Sequence, residues 1–79
     1  MQVKAIVSLK DGVLDPQAKA IYHALHSCGF SMLKDIKLAR EITLELDTDD
    51  EATALRVVDE MCKELLANLV IEDYRVQRP

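Results

Sequence analysis

The segment from Ile36 to Leu46 restricts the fold more than any other stretch of the chain. Ile36, Leu38, Ile42, Leu44 and Leu46 all occupy even positions, and only Arg40 interrupts them. Side chains of a strand alternate between two faces, so a single parity over this span means one apolar face held in register. A two-residue hairpin between Leu38 and Glu41 would move Glu41 and Thr43 onto the face of Ile36 and Leu38. A three-residue turn at Ala39, Arg40 and Glu41 would keep the parity, but it contains no Gly, Asn or Asp to take a positive φ. A continuous or gently bent strand from about Leu33 to Leu46 fits better, with two strands and a turn as the alternative.

The flanking segments set what this strand can join. Val3, Ala5, Val7 and Leu9 alternate with Gln2, Lys4, Ser8 and Lys10, which is the period of a strand with one buried face; Ile6 is the exception. Asp11-Gly12 ends it. Asp15 can cap free backbone N–H groups and Pro16 suits the first helical position, so a helix begins there. Its apolar stripe is Ala18, Ile21, Tyr22, Leu25 and Cys28, Gly29 suits a left-handed stop, and Phe30 would fold back on Leu25. Asp47 to Glu51 opens a second helix, with Thr48 and Glu51 as a capping box and extra carboxylates at the positive end of the dipole. Leu55, Val58, Cys62, Leu65 and Leu69 give its inward stripe, reinforced by Met61 and Leu66, and Asn68 is the expected left-handed stop. Val70 to Val76 is the last strand, and Gln77-Arg78-Pro79 should fray.

The expected fold is α+β, a β-α-β-α-β two-layer sandwich with an antiparallel sheet, a long middle strand and two helices on one face, in a single domain over residues 1–79. Counted as two strands, the middle segment gives the split βαβ order of ferredoxin-like folds. Counted as one, half of it projects beyond its own sheet, and unpaired edge groups invite a second copy. A chain of 79 residues buries only about 60–65% of its unfolded surface. Small scaffolds compensate with disulfides, metals or oligomerisation. Cys28 and Cys62 both fall on apolar helix faces and match no zinc or redox spacing, so they read as buried thiols in a reducing compartment. That leaves oligomerisation, with a dimer whose sheets join across subunits.

Composition excludes several functions. The net charge is −4, with one Phe, two Tyr and no Trp, which gives no footprint for nucleic acid. No signal segment and no long apolar run is visible, so the cytoplasm is the expected location and no membrane is involved. His23 and His26 lie three apart on the first helix, but no third ligand is near and no metal is expected. The acidic run Asp47, Asp49, Asp50 and Glu51 lacks the glycine and later glutamate of a calcium loop. Glu72 and Asp73 are neighbours on a strand and point to opposite faces, which spoils them as an acid/base pair. The loop Lys10 to Asp15 has no phosphate-cradle spacing, and no nucleophile stands in a Ser/His/Asp pattern. No catalytic residue is expected on this chain.

Two segments carry a family resemblance. The first runs from Leu9 to Phe30, with Gly12-Val13-Leu14-Asp15-Pro16-Gln17 leading into Ile21-Tyr22-His23-Ala24-Leu25-His26-Ser27-Cys28-Gly29-Phe30, and the second, Leu65-Leu66-Ala67-Asn68-Leu69-Val70-Ile71-Glu72-Asp73-Tyr74, lies near the C-terminus. Together they resemble the PurS family, the small subunit of bacterial and archaeal phosphoribosylformylglycinamidine (FGAM) synthase. Length, element order and acidic charge agree with it. The chain departs at Asp11 and Leu69, where Pro is common, and at Ala18 and Ala39, where Gly is common; these positions shape loops and stops.

The resemblance implies a subunit without catalysis of its own. In that family it assembles with a synthetase subunit, PurL, and a glutaminase, PurQ. The complex uses ATP and Mg to convert formylglycinamide ribonucleotide and glutamine into FGAM in purine biosynthesis, with no cofactor on the small subunit. A dimeric wedge, possible also as a tetramer, would fix the two enzymes so that ammonia does not escape. The contact residues expected are the polar ones of the two segments: Lys10, Asp15, Gln17, His23, His26, Asn68, Glu72, Asp73 and Tyr74. Asp15 and Asn68 are the pair most readily explained by caps and turns alone. Another class is an ACT-like regulatory module that binds an amino acid near a Gly-containing first loop, supported only by Gly12. A copper carrier, an acylphosphatase or an RNA-binding domain on the same fold would need motifs that are missing here.

Overall fold

The computed structural model describes residues 1–78. The chain forms β1 (Gln2–Leu9), α1 (Pro16–Ser27), β2 (Ala39–Glu45), α2 (Glu51–Met61) with a π-helical turn at Cys62–Leu66, and β3 (Glu72–Gln77). The strands make one antiparallel sheet in the order β2-β1-β3. The β-α-β-α-β order and α+β class read from the sequence are therefore present. Among the described residues no helix is long and apolar enough to cross a membrane.

The alternation in β1 sets the core. Ala5 stands opposite Ile42 on one side and Val76 on the other; Val3 faces Leu44 and Val7 faces Tyr74. These residues share one face, and α2 covers it with Ala54, Val58 and Cys62. The largest fully buried side chains are Val3, Val7, Val58 and Cys62, so no Leu, Ile or aromatic ring is sealed inside. The opposite face presents Lys4, Ser8, Glu41, Thr43, Asp73 and Arg75, with Ile6 across from Glu41 and Arg75. Lys4 Nζ and Glu41 Oε1 pair there at 3.6 Å. One dry face and one wet face is the usual economy of an antiparallel sheet.

α1 forms as its sequence requires. The Asp15 carboxylate accepts from the N–H groups of Gln17 and Ala18, and Pro16 occupies the first turn. At the other end Gly29 takes φ +98°, its N–H donates to the His26 carbonyl, and the Phe30 N–H donates to the Leu25 carbonyl. Those two bonds are the paired closure of a left-handed helix stop. The helix does not lie on the sheet as α2 does. Ala18 is its one buried residue, while Ile21 and Cys28 are exposed and Phe30 is 60% exposed. The expectation that Cys28 is buried is thus corrected; only Cys62 is. α1 and the return segment 31–38 make an arm, and the molecule measures 49 × 24 × 14 Å. Its radius of gyration is 16.0 Å, against about 12 Å for a compact chain of this length.

The long middle strand is corrected too. β2 spans Ala39–Glu45, and residues 33–38 carry no regular structure. The reason lies in β1, which offers a partner only as far as Ser8, opposite Ala39. Beyond Leu9 the chain turns away at Asp11-Gly12, with Gly12 at φ +85°. Parity reports where side chains point, not whether a neighbouring strand exists. Residues 39–41 lie inside β2, so no turn stands there either.

α2 starts and stops differently from expectation. The Thr48–Glu51 capping box does not form, because the helix begins after Asp50. Thr48 Oγ1 instead accepts from the Asp50 N–H at 3.2 Å, and the Thr53 hydroxyl donates to the Asp50 carboxylate. At the far end the Ala67 N–H donates to the Cys62 carbonyl, five residues back, and Ala67 turns extended at φ −125°. At about 100° per residue Leu65 would fall between Ala54 and Val58 on the inner face. The wider turn moves Ala67 inward, buried, and leaves Leu65 85% exposed. Leu69, placed on the inward stripe by sequence, is 45% exposed. Asn68 is not left-handed, since no residue but glycine has positive φ among the described residues. It organises a turn over Leu69, Val70 and Ile71 instead, and β3 begins at Glu72 rather than Val70. Gln77 pairs with Lys4 as the last residue of β3, and the Arg78 guanidinium meets Glu51 at 3.4 Å; Pro79 lies outside the described residues.

Candidate partner-binding site

Both family-like segments pass the same end of the sheet, the first leaving it for α1 and the second entering β3 there. β1 finishes there at Leu9, β2 starts at Ala39 and β3 starts at Glu72. The Lys10 N–H donates to the Ile71 carbonyl at 2.8 Å and ties one segment to the other. Two clefts open at this end. One, of about 350 Å³, lies between the loop Lys10–Asp15, α1 and the return segment Lys34–Leu38. The second, of about 310 Å³, is bordered by Asp15, Gln17, Ala39, Arg40 and Glu72. Lys10, Asp15, Gln17, Asn68 and Glu72 therefore gather within one region.

Most of these groups are already engaged. Asp15 caps α1. Glu72 Oε1 accepts from the Asn68 N–H at 2.7 Å, and Glu72 Oε2 meets the Arg40 guanidinium at 3.2 Å. Asn68 Oδ1 accepts from the Val70 N–H, and its carbonyl accepts from Ile71 and Glu72. Arg40 also donates to the Leu66 carbonyl at 3.3 Å. Arg40 is thus the residue that sequence reasoning passed over: its even parity puts it on the α2 side, where it clamps the end of the π turn to β3. The signal was that parity, which treats it as a member of the face rather than an interruption.

Tyr74 sits one pair further along, opposite Val7, and its hydroxyl donates to Asp59 Oδ1 at 2.6 Å. Lys63 Nζ lies 3.1 Å from the other Asp59 oxygen. The bond from Tyr74, followed by Lys63, holds the Asp59 carboxyl below the usual carboxylate range. The same bond, with burial, pushes the Tyr74 phenol up to about 12. Burial, with the charge of Asp59, also raises the Cys62 thiol, which keeps it protonated. Asp73 is on the opposite, open face, and its side chain bonds no group among the described residues.

The histidines stand apart from this region, on the arm. His26 Nε2 donates to the Leu33 carbonyl at 2.8 Å, an acceptor that fixes the proton on that nitrogen, and the Tyr22 ring lies 4.4 Å from the His26 ring. His23 is exposed, with Tyr22 edge-on at 5.6 Å. Among the described residues no group of three or more His, Cys, Asp or Glu is placed to hold a metal ion. What the site offers is shape, backbone edges and apolar surface. Val13, Leu14, Ile21, Phe30, Met32, Leu65, Leu69, Val70 and Ile71 are exposed. Exposed apolar side chains that cluster, as Leu69, Val70 and Ile71 do in one turn, mark interaction surfaces.

Comparison with known proteins identifies the surface's context. The family model for PurS, phosphoribosylformylglycinamidine (FGAM) synthase, matches residues 2–79. The PurS subunit of Bacillus subtilis is 45% identical over 76 residues, covering 96% of this chain and 89% of that protein. The crystal structure of Methanocaldococcus jannaschii PurS superposes with a TM-score of 0.86 at 37% identity, covering 96% of this chain and 92% of that one. A chain of the PurLQS structure from Thermotoga maritima gives a TM-score of 0.86 at 30% identity, covering 99% and 96%. With its order of elements, its sheet and nearly its whole length matched, the chain belongs to the PurS family and is a PurS subunit of FGAM synthase.

Proposed function

We propose that this chain works as the non-catalytic bridge between a glutaminase subunit, PurQ, and a synthetase subunit, PurL, so that ammonia released from glutamine reaches the synthetase without escaping. The observation that carries the reading is the likeness to a chain of the T. maritima PurLQS structure over 99% of the length. The exposed apolar residues on the arm and around the π turn support it, because a bridge needs surface on more than one side. On this reading ATP and Mg act on the synthetase subunit, and the assembly works in the cytoplasm. Lys10 and Gln17 at the sheet end and Asp73 on the open face are the foremost contact candidates, whereas Asp15, Asn68, Glu72 and Tyr74 first hold the local shape. The family assignment displaces the amino-acid-binding alternative.

The working unit is a homodimer. β2 and β3 both leave one edge unpaired, and residues 33–38 continue the alternation of β2 with no partner strand in their own chain. A second copy pairing along that edge would satisfy those backbone groups and cover part of the arm.

The deciding experiment compares turnover by purified PurL and PurQ with and without this chain, driven first by glutamine and then by free ammonia. Glutamine-driven turnover that requires the chain, beside ammonia-driven turnover that does not, is the expected result. Equal rates with and without it in both assays would remove the bridging role.

A further inference from the structure

We infer that the outward stripe of α2 and its π turn, Val57, Met61 and Leu65, is a docking groove for an amphipathic helix with basic flanks carried by a non-identical subunit. The inference rests on the bridging reading and names a surface for it. Val57 and Met61 are half-buried and Leu65 is 85% exposed; with Leu66 they line an apolar groove bordered by Glu60 and Glu64.

The groove exists because of the π turn. A regular helix would place Leu65 on the inner face beside Val58; the five-residue bond from Ala67 to Cys62 turns it out beside Met61. A single π turn within an α-helix is frequent at functional sites. Here it converts a would-be core leucine into the most exposed residue of the groove.

Charge selects the occupant. Glu60 is paired with Arg56 at 3.2 Å, but Glu64 has no ion-pair partner among the described residues. A two-fold contact between two copies would set this acidic border against itself. An apolar helix flanked by Lys or Arg would instead meet the free carboxylate with opposite charge and bury the leucine.

The test uses Leu65→Glu and Glu64→Lys in the full chain, with binding to purified PurL and PurQ measured separately by sedimentation. Because both positions are exposed, both variants should keep the wild-type melting temperature and self-association. The expected result is a loss of more than tenfold in affinity for one partner in Leu65→Glu, and a weaker loss in Glu64→Lys that deepens at low salt. Wild-type affinity for both partners in Leu65→Glu overturns the groove while leaving the bridge intact. A variant that binds partners normally but no longer self-associates overturns it in favour of a contact between copies. Failure of the wild-type chain to bind either partner overturns the bridge and the groove with it.

Discussion

At the scale of single residues, the polar side chains of the family-like segments divide by whether they are already occupied. Tyr74 is the clearest case. Its phenol sits above its ordinary value of 10.0, at about 12, while Asp59 sits below 3.8. A depressed carboxylate adds stability that is present above its unfolded value and lost as pH falls through the folded one. A raised phenol adds stability that is present below about pH 10 and lost as pH rises toward about 12. Thermal melting of Tyr74→Phe should therefore lie below wild type across the neutral range, and the gap should close at both the acid and the alkaline end. A gap that stays constant with pH would mean that the contribution of the hydroxyl is not linked to the ionisation of Asp59 or Tyr74. Arg40→Ala should cost about 1 kcal/mol, through the Leu66 carbonyl and Glu72, and lower the melting temperature by roughly 4–8 °C. The cap at Asp15 was legible in sequence because it depends on neighbours two and three residues away. The bonds of Tyr74 and Arg40 were not, because Asp59 lies 15 residues and Leu66 26 residues away.

At the scale of elements, local rules worked where the structure is local. α1 begins at Pro16 and stops at Gly29 as its sequence says. Nothing lies within 4 Å of a β-carbon placed on Gly29, so Gly29→Ala should cost about 1 kcal/mol from the left-handed backbone alone, measured by denaturant unfolding. The middle strand and the end of α2 escaped those rules. The alternation from Ile36 to Leu46 is real, yet only the half beside β1 finds a partner in the chain. The π turn has no residue signature at all; it reassigns Leu65 and Ala67 after an otherwise regular stripe. A simple pair of variants checks this. Val58→Ala should cost about 2 kcal/mol, because that side chain is wholly buried, and Leu65→Ser should change stability by less than about 0.5 kcal/mol. An unbroken α-helix gives Leu65 a core cost comparable to that of Val58.

At the scale of the whole molecule, the chain is one sheet and one helix thick with an arm to the side. Its order of elements and its class could be read from sequence, because strand and helix periods differ. Its shape could not, because an apolar stripe such as that of α1 carries no label for whose surface it covers. If a second copy covers it, the sedimentation coefficient should fall on dilution, and Cys28 should react with thiol reagents faster in dilute solution while Cys62 stays slow. A compact species of one copy at all concentrations would remove the joined-sheet dimer. The least dimension of 14 Å also bears on the life of the protein in a cell. A body that thin has almost no interior of its own, so a copy made in excess of its assembly stays open to unfolding and cleavage. Its half-life in a cell should then lengthen when its companions are made with it, an outcome that a chase of the chain with and without PurL and PurQ would check.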